Sequence, residues 1–394
     1  MREVKEVVIA GAYRSPTGRL LGRLSGFSAP SLGAVVIRGA LKGSGLEPHK
    51  VDEVIMGNVI SAGLGQNPAR QSALLAGLPD GVGAFTVNKV CASGLKAVAL
   101  GAEAIMLGEA EVVIAGGMES MSNAPFLLRE MRGGKRMGNS DVIDSMVHDG
   151  LRDCYYDAHM GELCEYTVEK YGISREEQDR FAFESQRKAM EAAKGGLFKN
   201  EIIPLELSEN ITVSEDESIR RDTSMEKLSG LRSAFKKGGT VTAGNSPGLN
   251  DGAAVLILTT GEKAQELGLK PLASILGYAS AHLDPKWYTL APVDAVKKLL
   301  RKTGLDMEDF DLIEENEAFA AETLAVVKEL SIDPSKVNVH GGAIALGHPI
   351  GASGARVLVT LLHALRARKK ELGLAAICLG GGGAMTMAVR AYKE

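Results

Sequence analysis

A chain of 394 residues, 45% of them apolar, is long enough to bury the cores of two or three domains. Its net charge of −4 gives no general attraction to nucleic acid or an anionic membrane, so the expected partner is a small molecule. Four scattered cysteines, Cys91, Cys154, Cys164 and Cys378, form no CxxC pair, which argues against a disulfide framework or zinc knuckle and fits a reducing cytoplasm.

The chain opens with Met1–Ala10, which lacks the long apolar region and cleavage site of a secretory signal. No later segment reaches the roughly 18 uninterrupted apolar residues of a membrane span. Apolar runs at Val7–Ala12, Val54–Met56, Glu111–Ala115 and Ala375–Leu379 alternate with helical patterns at Leu95–Leu107 and Ala355–Arg366. That alternation predicts a buried, mixed or parallel sheet covered by helices. The 47 glycines gather at the strand–helix junctions, where backbone must approach closely. Gly45-Leu46 followed by Asp52 recurs as Gly304-Leu305 followed by Asp311, an offset of 259, and Ala92-Ser93-Gly94 recurs as Ala352-Ser353-Gly354. The shared order predicts an internal duplication. Between the halves, roughly Ser122 to Thr240, the sequence turns charged and irregular and reads as an insertion. Its strong helical stretch is a polar surface helix, Arg175 to Ala193, capped by Ser174 with Gln178 three or four residues on.

Cys91 follows a strand-like run and precedes a helix, a place where unpaired amides and the helix dipole favour a thiolate. The plainer alternative is a buried core cysteine. His348 sits among glycines just before the second repeat's helix, as a catalytic group or a satisfied structural histidine. If a pseudo-twofold axis relates the halves, both junctions converge and the pair becomes an activated nucleophile. Cys378 ends an apolar strand before Gly380–Gly383, whose backbone can offer N–H groups to an oxyanion. A phosphate cradle is the weaker reading, because the run lacks the lysine and Ser/Thr of a P-loop. Asn316, alone, could be an ordinary helix cap. A metal site of Cys91, His348 and Cys378 is disfavoured, since structural zinc takes four ligands.

These blocks, together with Gly65–Gln71, Gly116–Ser122 and Gly239–Asn245, resemble thiolases of the acetyl-CoA acetyltransferase type over nearly the whole chain. The resemblance implies an α/β fold of two duplicated βαβαβαββ-type core domains in α-β-α-β-α layers, plus an inserted loop domain. The expected division is 1–121 with 250–272, then 122–249 as the loop domain covering coenzyme A, and 273–394. It also implies that Cys91 accepts the acyl group, His348 activates it and Cys378 moves the proton of the second substrate. Asn316 would hold an oxyanion water, and the N–H groups of Cys91 and Gly380 a second oxyanion hole. Coenzyme A is expected against His159, Met160, Arg220, Leu231, Phe235, Ala243, Ser246 and Leu249, and the acyl group near Tyr288, Ala318 and Phe319.

The implied reaction joins two acetyl-CoA into acetoacetyl-CoA and coenzyme A, or reverses it. Coenzyme A is then a substrate and product rather than a cofactor, no metal is expected, and the assembly is a homodimer or homotetramer. Three places depart from the family pattern. Pro247 replaces a usual serine, Asp284–Pro292 replaces a Met-Gly-x-Gly-Pro ending and puts Tyr288 where a methionine usually lines the acyl site, and Glu162–Glu165 replaces a Thr/Ala pattern. Rival expectations are a broader-chain 3-ketoacyl-CoA thiolase, a ketoacyl synthase, which normally pairs its cysteine with two histidines, and a non-catalytic thiolase-like partner.

Overall fold

A computed structural model describes residues 5–209 and 211–393. Nine strands carry the architecture: β1 Val7–Arg14, β2 Glu53–Gly57, β3 Gly83–Val87, β4 Val113–Ser120, β5 Asn250–Thr260, β6 Ala273–His282, β7 Leu312–Glu315, β8 Leu372–Leu379 and β9 Gly383–Ala391. With the short strand Gly18–Arg19 beside β5, they form a sheet in the order β7-β8-β9-β6-β1-β5-β4-β2-β3. The principal helices are α1 Ala29–Ser44, α2 Pro68–Leu75, α3 Ser93–Leu107, α4 Met160–Tyr171, α5 Arg175–Lys194, α6 Ala291–Thr303, α7 Ala320–Glu329 and α8 Ile350–Arg368.

The sheet is continuous but narrowly joined at its middle, where β1 and β6 share only Val8↔Ser274 and Ile9↔Ala273. Its two halves lie on either side of α3 and α8. One apolar cluster unites Leu95 and Val98 of α3, Val357 and Leu361 of α8, Leu256 and Leu258 of β5, and Ile377 and Met387 of the second half. A second cluster joins α1 and α2 to the outer face of the first half, through Leu32, Val36, Ala73, Val54 and Ile257. A third joins α6 and α7 to the other half, through Val296, Leu299, Val326, Ile313 and Leu374. The result is five layers, helix–sheet–helix–sheet–helix. Strands such as β4 and β8, buried along their whole length, are apolar on both faces for this reason.

The duplication is visible atom by atom. Gly45 and Gly304 both end their helices with φ near +75° (76° and 71°) and donate to Leu41 O and Leu300 O, the left-handed cap that glycine adopts without steric cost. Asp52 Oδ2 accepts the N–H groups of Glu111 and Val112, and Asp311 Oδ2 those of Glu371 and Leu372. Each aspartate thus fixes where a buried strand begins.

The segment between β4 and β5 contains α4, α5, three small strand pairs and a π-helical turn at Met146–Leu151. Arg14 at the end of β1 ties this segment down, donating to Glu201 Oε1 at 2.6 Å and to both oxygens of Asp216 at 2.6 and 2.9 Å. Ser174 caps α5 as expected, but its partner is not Gln178. Glu177, at the third helical position, reaches back to Ser174 N at 2.7 Å while Ser174 Oγ accepts from Glu177 N at 3.2 Å. Gln178 instead faces inward and donates to Thr240 Oγ1 at 2.8 Å. Nor is α5 a purely surface helix, since Ala182, Ala189 and Ala192 are buried.

Candidate active site

Cys91, His348 and Cys378, 287 residues apart at the extremes, line one cavity of about 390 Å³. The crossing of α3 and α8 brings them there. A Cβ on Gly94 would stand 2.7 Å from Ala355 N, and one on Gly354 2.6 Å from Leu95 N, so the two helix N-termini meet backbone to backbone. Each helix is preceded by a turn carrying one of the reactive groups.

The turn before α3 is strained and heavily restrained. Val90 has φ of 47°, a region that a β-branched residue rarely adopts. Ser93 holds it there: its Oγ donates to Val90 O at 2.6 Å and accepts from Lys89 N at 2.8 Å. Cys91 is thereby turned into the cavity, and its sulfur receives the backbone N–H groups of Gly380 and Cys91 itself. Burial outweighs those amides and pushes the thiol up to about 12, helped by the acids Glu322 and Glu119.

His348 is buried, and desolvation with help from Arg356 pushes its imidazole down to about 3. Its backbone N–H donates to Asn250 Oδ1 at 2.8 Å, and Nδ1 lies 2.6 Å from Ser353 Oγ. Ser353 gives its one hydroxyl proton to Pro349 O at 2.9 Å. It must then accept from Nδ1–H, which leaves Nε2 with its lone pair as the basic atom. Burial thus favours the neutral form of both groups.

Cys378 is buried beside Glu322, whose carboxyl is its hydrogen-bond partner. Burial comes first among the causes that raise this thiol well above its ordinary value. Asn316 is fully buried, and neither Oδ1 nor Nδ2 has a partner among the described residues. A bare buried amide is costly, so this side chain is set to bind something small and polar. It does not itself line the cavity, but Ala318 and Phe319 just after it do.

The other sequence-derived positions divide clearly. His159, Met160, Arg220, Phe235, Ala243, Ser246, Leu249, Tyr288, Ala318 and Phe319 all line the cavity. Leu231 does not: it is exposed, with its side chain over Gly244. His159 stacks on Phe235 at 4.7 Å, and Phe235 meets Phe319 edge-on at 5.8 Å. Gly161 is required under that stack, because a Cβ there would lie 2.4 Å from the Phe235 ring. Ser246 Oγ is buried without a partner among the described residues, and both Ser246 and Pro247 line the cavity. Tyr288 faces the cavity and donates its hydroxyl to Met160 O at 2.9 Å; Trp287 turns instead toward Tyr166 and Lys170.

Comparison with known proteins decides the family. Residues 7–262 match the thiolase N-terminal domain and residues 269–391 the thiolase C-terminal domain. The chain belongs to the thiolase family. It is 52% identical over 391 residues to a "Probable acetyl-CoA acyltransferase" of Staphylococcus aureus strain MRSA252, covering 98% of this chain and 99% of that one. The counterpart from strain NCTC 8325 / PS 47 is equally similar. The crystal structure of the Bacillus anthracis acetyl-CoA acetyltransferase superposes with a TM-score of 0.97 at 44% identity, covering all of both chains.

As a thiolase the protein is an acyltransferase enzyme. Sequence reasoning missed several groups at this thiolase's site. Asn250, which accepts the His348 backbone N–H, and the apolar wall of Met121, Met146, Leu151 and Ile350 carried no local signal, and Ser353, which meets the His348 ring, was not assigned a role. The repeat Ala92-Ser93-Gly94 and Ala352-Ser353-Gly354 did contain a clue, since its serine works at both junctions.

Proposed function

We propose that this thiolase is an acetyl-CoA C-acetyltransferase, interconverting two acetyl-CoA with acetoacetyl-CoA and coenzyme A through an acyl-Cys91 intermediate. The observation that carries this reading is the meeting of Cys91, His348 and Cys378 in one cavity whose wall includes the immobilised Tyr288 ring. His348 Nε2 takes the Cys91 proton as sulfur attacks the thioester, and passes it to the departing coenzyme A. Cys378, as thiolate, then removes a proton from the methyl of a second acetyl-CoA. The resulting carbanion attacks acyl-Cys91, and the Cys91 sulfur leaves. Negative charge develops on two different carbonyl oxygens in turn, which calls for two donor sets. The Cys91 and Gly380 amides suit one, and a water held by Asn316 suits the other.

The segment 122–249 is read as the cover over coenzyme A, with the His159–Phe235–Phe319 stack and the Ser246 hydroxyl along the pantetheine arm and Arg220 at the nucleotide end. Exposed apolar side chains at Phe126, Leu128 and Met137 support assembly into a homo-oligomer.

One observation favours a second reading, a broader-chain 3-ketoacyl-CoA thiolase. Met121, Met146, Leu151 and Ile350 form an adaptable apolar wall near Cys91. Thiolysis of 3-ketoacyl-CoA substrates of four to eight carbons decides between them. A short-chain enzyme should prefer acetoacetyl-CoA by roughly 10-fold or more, the scale of one or two excluded methylenes, and Tyr288→Met should narrow that preference. Equal cleavage of the eight-carbon substrate by the wild type favours the broader reading.

A further inference from the structure

Two acids stand behind the Cys378 thiol that the reaction as described does not use. Glu315 ends β7, next to the strand that delivers Cys378, and Glu322 lies in the first turn of α7. Both are buried, at 2% and 0% exposure. Buried carboxylates normally recruit N–H and O–H donors or a cation. Here Oε1 of Glu315 and Oε1 of Glu322 each lack such a donor among the described residues. Their contacts are instead each other, the Cys378 thiol, the Ala318 amide and Thr323, whose Oγ1 lies 3.4 Å from Glu322 Oε2. A hydrogen bond between two carboxyl groups requires that one be protonated. Two bare charges at this depth would also face a large desolvation cost with no counter-ion to offset it.

The titratable groups around the pair point the same way. Cys378 from β8, Cys91 from the turn before α3, Cys164 from α4, Tyr288 from the turn before α6 and Glu317 after β7 surround it. All are acids or thiols, and the strongest electrostatic neighbours of both carboxyls are of the same kind. Burial drives Glu315 well above the carboxylate range and Glu322 up to about 8.

We propose that Glu315 and Glu322 form a proton-sharing carboxyl pair that takes and returns the Cys378 proton, acting as positioning residues for removal of the methyl proton. This rests on the reading of Cys378 as the base toward the second substrate. At rest the pair holds one proton and Cys378 is a thiol. The S–H bond breaks and an O–H bond forms on Glu322, leaving a Cys378 thiolate and a neutral pair. The buried site carries one negative charge before and after, so no new charge is desolvated. The thiolate takes the methyl proton, and the C–H electron pair becomes the carbanion that forms the new carbon–carbon bond. When the Cys91 thiolate is expelled, Cys378 gives it that proton, and the pair returns its second proton to Cys378. The methyl proton therefore ends on Cys91, and the resting state is restored.

The test separates the half-reactions in Glu322→Gln, Glu315→Gln and Glu322→Asp. Transfer of labelled acetyl to Cys91 should stay within about 2-fold of wild type in all three. Exchange of acetyl-CoA methyl protons with heavy water should fall about 10²-fold in Glu322→Gln, the scale of one lost proton-transfer group. Its pH profile should move toward higher pH, and Glu322→Asp should restore much of the exchange at neutral pH. Should the glutamine variants refold poorly, infrared spectra of the wild type at pH 7 must still show a protonated-carboxyl stretch that shifts in heavy water; its absence overturns the pair. Wild-type exchange rates and an unaltered pH profile in both glutamine variants also overturn it, leaving the thiolase reading intact. A wild type that neither acylates Cys91 nor cleaves acetoacetyl-CoA removes the parent reading and the pair together.

Discussion

At the scale of single residues, the site is governed by burial more than by helix dipoles. Cys91 accepts two backbone amides beside a helix N-terminus, yet its thiol is held neutral, and His348 is held neutral beside it. In the proposed mechanism the Cys91 sulfur attacks as His348 takes its proton, and a serine hydroxyl at position 91 is a far poorer nucleophile. Cys91→Ser should abolish covalent labelling by acetyl-CoA while keeping the fold. Label that still attaches to the protein would show that another residue is the nucleophile. Asn316→Ala should behave differently. In the proposed mechanism its amide holds the water that meets the second carbonyl, so labelling of Cys91 should persist while condensation falls roughly 10²-fold, the loss typical of one oxyanion donor. The meeting of Cys91, His348 and Cys378 in one cavity was legible because each sits in a motif at a strand or helix end. Glu315 and Glu322 were not, because acids beside apolar residues ordinarily read as the solvent face, and only tertiary packing buries them.

Among elements, the duplication was readable because turn chemistry repeats: a left-handed glycine cap and a strand-starting aspartate must recur wherever the same unit folds. The inserted segment was less readable. Helix α4 was missed because its buried positions, Leu163, Cys164, Thr167 and Val168, face a pocket wall rather than a large core. The α3–α8 crossing depends on Gly94 and Gly354, the glycines of the repeated Ala-Ser-Gly whose junctions the duplication predicted to converge. Gly354→Ala would place a methyl 2.6 Å from Leu95 N, where the obstacle is backbone and cannot swing aside. The helices must separate, so stability should fall by about 1–3 kcal/mol, as for overpacked cores. Acetoacetyl-CoA cleavage should drop as well, since the Cys91 and His348 turns ride on those helix ends. Urea melts and the cleavage assay check both effects, and a variant as stable and active as wild type would refute the close crossing.

Across the whole molecule, the buried acids set how stability responds to pH. Burial is the leading cause that raises Glu119 to about 7 and Glu322 to about 8, from 4.5 in the unfolded chain. Between pH 4.5 and about 8 the folded protein therefore binds more protons than the unfolded chain at these sites. Stability contributed by them is fully present below 4.5 and is lost as pH rises through their folded values. His348 has the opposite sign. Its folded value near 3, against 6.5 unfolded, means the unfolded chain binds the extra proton, so this contribution is present above 6.5 and lost as pH falls toward 3. His340, also lowered mainly by burial, acts in the same sense. The two trends oppose each other at mildly acidic pH, but only the carboxyl trend operates above pH 6.5. The melting temperature should therefore decline between pH 6.5 and 8.5, with a slope near 1.4 kcal/mol per pH unit for each excess bound proton as an upper bound. Calorimetry across pH 4 to 9 checks this, and a melting temperature that is flat or rising above pH 6.5 would mean that these glutamates are ionised in the folded protein.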